Sequence, residues 1–161
     1  MYFYRVARTR YEVGHVFKGS NKYPLQDRFP EVETILERNR PKGKANRAES
    51  IYLREDEDFS KAGLTYAKGF VHTVETKDNV ERRDLVWTGI LQKRYFQDER
   101  FRRDECPGLS DDEVAKKWWA GEASQSPDWE WITECATVVA VGDDPIELKP
   151  DSPLLNVFDH L

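Results

Sequence analysis

The apolar residues of this chain come in short pieces. The longest near-continuous stretch, Ala136-Thr137-Val138-Val139-Ala140-Val141, is interrupted by a Thr, and no apolar run approaches the ~20 residues needed to span a bilayer. A chain built this way must bury short strands and amphipathic helices against one another. Its 161 residues are enough for one domain with a substantial core, expected to span residues 1–161. The twenty aromatic residues and 39% apolar content exclude a collagen-like or fully disordered chain. The start Met1-Tyr2-Phe3-Tyr4-Arg5-Val6 does not read as a signal peptide. Cys106 and Cys135 form neither a CxxC pair nor part of a metal cluster, so free thiols in a reducing cytoplasm are expected.

The pattern of short segments reads as an α+β fold, a split mixed β-sheet core flanked by short helices. Strands are expected at residues 2–6, 50–53, 70–74 and 84–88, and over 130–133 continuing, after a kink, through 136–141. Pro30 opens a helix over 31–39 with Val32, Ile35 and Leu36 on one face, and Pro41 stops it. A second helix is expected over 59–68, ended by Gly69. Ser110 with Glu113 forms a capping box that opens a third, running to about Trp119. Residues 90–103 are ambiguous, with Leu91 and Tyr95 suited to a helix face. Residues 145–161, with Pro145, Pro150 and Pro153, read as a Pro-rich tail.

Charge is unevenly distributed. Residues 1–54 carry twelve Lys/Arg and six Asp/Glu, residues 55–103 ten of each, and residues 104–161 three against fourteen. This gradient fits either a solvated surface or an anionic ligand near the basic third. Residues 38–47 hold Arg38, Arg40, Lys42, Lys44 and Arg47 with no acid, and read as a mobile loop. Residues 93–103 interleave cations with Tyr95, Phe96 and Phe101. That pattern can stack bases, but acids at 98, 99, 104 and 105 favour a salt-bridged face.

Gly-rich phosphate loops are absent, and His15, His72 and His160 stand in no metal-ligand spacing, so no metal site is expected. What remains is a dispersed set: Tyr4-Arg5, Ser50-Ile51-Tyr52-Leu53, Ser60-Lys61-Ala62, Tyr66-Ala67 and Asp128-Trp129-Glu130-Trp131-Ile132. The second, third and fourth pieces resemble the nicotinamide-pocket segment of ADP-ribosyltransferases. In the diphtheria-toxin and poly-ADP-ribose polymerase branch that segment reads roughly G-I-Y-F, a spacer, then S-K-S-A-x-Y. Glu130-Trp131-Ile132 followed by the apolar run from Ala136 resembles the strand that carries the family's catalytic Glu. The pieces occur in family order over most of residues 2–141. The chain has Tyr4-Arg5-Val6 where that branch has His followed by Gly. Arg5, Ser50 and Asp128-Trp129-Glu130 also match, in degenerate form, the Arg, Ser and Glu-x-Glu pattern of the other branch.

The resemblance implies an ADP-ribosyltransferase-like fold that binds NAD, moves ADP-ribose to a macromolecular acceptor and releases nicotinamide. It assigns Glu130 as the catalytic acid and Arg5, Ser50, Tyr52 and Tyr66 to NAD binding. The acceptor is expected to be a protein in preference to a nucleic acid, with no membrane involved. These residue types suit the chemistry. A carboxylate stabilises the cationic ribose of the transition state, aromatic rings wall the flat nicotinamide, and a cation meets the pyrophosphate. Asp128 and Glu134 are alternative acids. A non-catalytic protein- or nucleic-acid-binding module and an NAD hydrolase are alternative functions. Taken singly, the tyrosines also fit a core, Glu130 a strand edge, Arg5 a surface ion pair and Ser50 a strand-entry hydrogen bond.

Overall fold

A computed structural model describes residues 1–19, 29–57, 68–77 and 79–147. Among them the class is α+β, as the segment pattern implies. Strands β1 (Tyr2–Ala7), β4 (Lys68–Glu75), β7 (Cys135–Val141) and β2 (Val16–Lys18) form one sheet in that order, with β8 (Ile146–Glu147) on the start of β4. Strands β3 (Ile51–Leu53), β6 (Trp129–Thr133) and β5 (Glu81–Asp84) form a second, with β6 central. The sheet is split as expected, but among the described residues every strand pairing is antiparallel rather than mixed. The reason is visible between β5 and β6. The chain leaves β5 through α2 (Leu85–Arg94) and returns through α3 (Asp111–Ala120), and this double excursion brings it back beside β5 in the opposite direction.

The expected kink falls at Glu134, an exposed residue and the only one between β6 and β7. Thr133 pairs with Ile51 in the small sheet, whereas Cys135 pairs with Lys18 in the large one. A second tie joins the sheets at β1 and β3, where Tyr4 and Arg54 exchange backbone hydrogen bonds of 2.8 and 2.9 Å. Alternation along the strands then sends Phe3, Phe17, Ile51, Leu53, Val74, Ala136 and Val138 into one core shared by the two sheets.

The other face of the small sheet meets the helices. Val32, Ile35 and Leu36 of α1 (Pro30–Arg38) pack with Trp87, Ile90 and Leu91 of α2 and with Val114, Ala115, Trp118 and Trp119 of α3. Helix α3 opens on the expected capping box of Ser110 and Glu113. It closes on Gly121, whose φ of +66° is left-handed, and where a Cβ would lie 2.7 Å from the Arg82 carbonyl. The buried Trp119 Nε1 donates to the Leu36 carbonyl at 2.8 Å, locking α3 to the end of α1.

Two expectations are corrected. Residues 84–88 are not a strand: β5 ends at Asp84, and Leu85 begins α2. The fully buried Asp84 is the helix cap, and its carboxylate accepts the backbone N–H groups of Val86 (3.1 Å), Ser124 (2.7 Å) and Asp128 (3.0 Å). That capping outweighs the strand propensity of Val86, Trp87 and Thr88. Lys68 and Gly69 do not end a helix but begin β4. The rest of that expected helix, and of the Pro-rich tail beyond Glu147, lies outside the described residues.

Asp84 therefore holds the β5–α2 junction and the loop before β6 together. Each hydrogen bond to a charged acceptor contributes about 1.5–3 kcal/mol, and each buried N–H left bare adds a desolvation cost. Asp84→Ala is expected to lose ~3 kcal/mol or more of stability. Urea unfolding checks this, and a loss under ~1 kcal/mol would show that water replaces the carboxylate freely.

Candidate functional site

The face of the small sheet that meets the helices is unusually polar. Register places Arg83 of β5 opposite Glu130 of β6, and Tyr52 of β3 and Glu81 of β5 both opposite Ile132. One step beyond the Leu53–Trp131 pair, Arg54 reaches Glu130, and Arg54 in turn bridges to Tyr4 of β1. Cross-strand neighbours share a face, so Tyr4, Arg54, Glu130 and Arg83 form a row, with Tyr52, Ile132 and Glu81 in the next. Above them stand Arg47, from the 3₁₀ turn Arg47–Glu49, and Trp118 of α3. The Arg47 guanidinium lies 4.6 Å from the Trp118 ring and 5.5 Å from that of Tyr52, and Arg83 lies 5.6 Å from Trp118.

Each guanidinium is tied to a different carboxylate. Arg47 Nε donates to Glu33 of α1 at 3.0 Å, Arg54 Nη2 to Asp128 at 3.0 Å, and Arg83 Nη2 to Glu81. Lys44 also reaches Glu81. Burial pushes the Glu81 carboxyl up, but its bonds to Lys44 and Arg83 outweigh this and hold it below the usual range.

Glu130 differs from these acids. It is 7% exposed, and its Oε1 has no hydrogen-bond partner among the described residues. Desolvation pushes its pKa up to about 7. Arg47, Arg54 and Arg83 oppose that shift, and Asp128 adds to it. The site therefore holds a buried carboxyl that exchanges its proton near neutral pH, beside three guanidiniums and two aromatic rings. Such a group can donate or accept a proton, or face a developing positive charge.

Of the residues expected at the site, Glu130 and Tyr52 share this face. The Tyr52 hydroxyl donates to the Arg47 carbonyl at 3.1 Å, which fixes the ring beneath the guanidinium. Ser50 lies at the edge, where its Oγ donates to the Asn46 carbonyl at 2.9 Å and closes the turn into β3. Arg5 points into the other core: it is paired across strands with His72, its guanidinium is 5.0 Å from the Phe17 ring, and its Nη1 donates to the Tyr52 carbonyl at 3.3 Å. The β1 residue on the Glu130 face is Tyr4. Tyr66 lies outside the described residues. Asp128 is engaged by Arg54, and Glu134 is exposed between the sheets.

Sequence reading missed Arg47, Arg54, Arg83 and Trp118. Period-two alternation from Tyr52 and from Glu81 marks Arg54 and Arg83. Arg47 belongs to the stretch that reads as a mobile loop, but it is buried against Trp118 of α3. The basic stretch at 93–103 is salt-bridged as expected: Lys93 and Arg103 pair with Glu105, Arg94 with Asp104 and Asp111, Arg100 with Asp98, and Arg102 with Glu99.

The position of Glu130 has a consequence for stability. Its native pKa of about 7 lies above the ordinary 4.5, so between those values the folded chain holds a proton that the unfolded chain has lost. Stability is therefore favoured at low pH and falls as pH rises through this window, by roughly 3 kcal/mol at ~1.4 kcal/mol per pKa unit. Glu130→Gln should remove that contribution and be more stable than wild type at pH 8 by an amount of this order. Urea unfolding of both proteins at acid and alkaline ends checks it. A wild-type-minus-variant difference that does not change with pH would assign the window to another group.

No protein-family model and no curated protein matches the chain.

Proposed function

We propose that the chain is an ADP-ribosyltransferase-like protein that binds NAD against the inner face of β3, β6 and β5 and passes ADP-ribose to a macromolecular acceptor. The observation that carries this reading is the placement of Glu130: a buried carboxyl, free of a hydrogen bond at Oε1 among the described residues, on the same strand face as Tyr52 and between cations from adjacent strands. The split of the chain at Glu134 into two antiparallel sheets is compatible with the fold that the sequence resemblance implies.

In this reading the bond between ribose C1′ and the nicotinamide nitrogen breaks, and its electron pair leaves with nicotinamide. The ribose carbon becomes cationic, and an acceptor nucleophile then bonds to it. Ionised Glu130 faces that charge at a site already shielded from water, where electrostatic stabilisation is strong. Tyr52 offers one wall to the nicotinamide, and Tyr66 keeps the second-wall role implied by the resemblance. The cation expected of Arg5 is supplied on this face by Arg54 and Arg83 instead. A protein acceptor is favoured over a nucleic acid because the cations of residues 93–103 are engaged with acids rather than presented as an open row.

The test is nicotinamide release and acceptor labelling by purified protein. Since only ionised Glu130 can face the cation, release is expected to increase as pH rises through about 7. Glu130→Gln should lower release by ~10²–10³ while the variant stays folded. Tyr52→Ala should weaken NAD binding more than it alters stability. Full activity in Glu130→Gln would refute the catalytic role. NAD binding without any cleavage by wild type would favour a non-catalytic binding module, and cleavage without labelling an NAD hydrolase.

A further inference from the structure

We infer that the inner face of β3, β6 and β5 contains an oxyanion site of the phosphate class, with Arg54 Nη1, Arg83 Nε and Trp118 Nε1 as donors. This deepens the reading above by naming where the phosphates of a dinucleotide would sit, and it rests on that reading only for the identity of the larger ligand.

The inference begins with orphaned atoms. Arg54 Nη1, Arg83 Nε and Trp118 Nε1 are all buried and have no hydrogen-bond partner among the described residues. Arg83 and Trp118 are more than nine-tenths buried, and Trp118 is fully buried. A buried N–H is costly to leave without an acceptor, and native structures rarely do so. Here three such donors belong to one neighbourhood. Arg54 and Arg83 flank Glu130 from adjacent strands, and Arg83 lies against the Trp118 ring.

Their chemistry selects the missing group. Beside these three donors stands one acceptor without a partner among the described residues, Glu130 Oε1. Two of the donors belong to guanidiniums, which form strong charge-assisted hydrogen bonds to phosphate or carboxylate oxygens. These guanidiniums have already spent other nitrogens on the protein: Arg54 Nη2 on Asp128, Arg83 Nη2 on Glu81 and Arg83 Nη1 on the Arg82 carbonyl at 2.9 Å. Those bonds hold the guanidiniums in place and leave one nitrogen of each, Arg54 Nη1 and Arg83 Nε, without an acceptor among the described residues. A group with several acceptor oxygens and at most one donor completes the set. A phosphate monoester or diester has that composition, with a neighbouring hydroxyl available to Glu130 Oε1.

The test reads the indole N–H of Trp118 directly. In ¹⁵N-labelled protein its resonance is assigned by comparison with Trp118→Phe and followed during titration with inorganic phosphate, pyrophosphate, ADP-ribose and, at matched ionic strength, chloride. The expected result is a saturable shift with the phosphate-bearing compounds and none with chloride. Arg54→Lys, which preserves a cation beside Asp128 but removes the fork, should weaken the apparent affinity about tenfold while the other indole resonances keep their folded positions. ADP-ribose binding more tightly than phosphate would identify the phosphates of a nucleotide as the ligand, and equal affinity a site for the free anion. No saturable shift with any of them, or affinity unaffected by Arg54→Lys, would overturn the inference and leave a ligand-free ion-pair network. A saturable phosphate shift without nicotinamide release would keep this site while removing the transferase reading. Nicotinamide release without a phosphate shift would do the reverse.

Discussion

The structure depends on how three guanidiniums are accommodated beneath the helical layer. Arg47, Arg54 and Arg83 come from three different elements; Arg47 and Arg54 are anchored by carboxylates from elsewhere in the chain, Glu33 of α1 and Asp128 of the loop before β6, and Arg83 by Glu81 on its own strand β5. Removing a charge from water costs several kcal/mol, and a buried pair offsets that cost only with good geometry and further contacts. Trp118 supplies such contacts, because Arg47 and Arg83 both lie against its ring. The helices therefore cannot shift relative to the small sheet without separating an ion pair or a cation–π contact. An apolar layer of the same volume would be at least as stable, so stability alone does not explain this choice of residues.

Asp84 and Glu134 show how the chain delivers those residues to one place. Asp84 converts the end of β5 into the start of α2 and draws the loop at Ser124 and Asp128 toward itself. That sets where β6 begins, and with it the height of Glu130 relative to Arg83. Glu134 transfers the chain from the small sheet to the large one within a single residue. The site lies between these two control points, on the strand that they jointly position.

Much of this was legible in the sequence, and the failures have definite causes. The α1 face, the Ser110 capping box and the break after Thr133 are local signals and stand where the pattern puts them. Residues 84–88 misled because Leu85-Val86-Trp87-Thr88 is an unbroken apolar and β-branched run that masks the i, i+3, i+4 spacing of the buried Trp87, Ile90 and Leu91. The capping role of Asp84 depends on groups some forty residues away, which local reading cannot see. Arg5 shows a different limit. In the pair Tyr4-Arg5 either residue can face the site, since a one-residue change of register exchanges the faces. The bridge from Tyr4 to Arg54 decides it, and that is a tertiary contact. Arg47 was obscured by its neighbours: a run of cations with Pro and Gly reads as solvent-exposed, although its last member turns inward.

Glu130 is the point at which folding and function diverge. The guanidiniums around it are each paired in charge with another acid, so the protein does not need a fourth carboxylate to neutralise them. Burial instead drives its proton affinity up, and above neutral pH its ionised form works against the folded state. Gln would fill the same space without that penalty. A residue that lowers stability under ordinary conditions, with one oxygen unpaired among the described residues and N–H donors unpaired on neighbouring side chains, is understandable if a ligand completes the arrangement. The bound state would then satisfy the orphaned donors and give Glu130 a partner, so that the polar face becomes fully paired only when occupied.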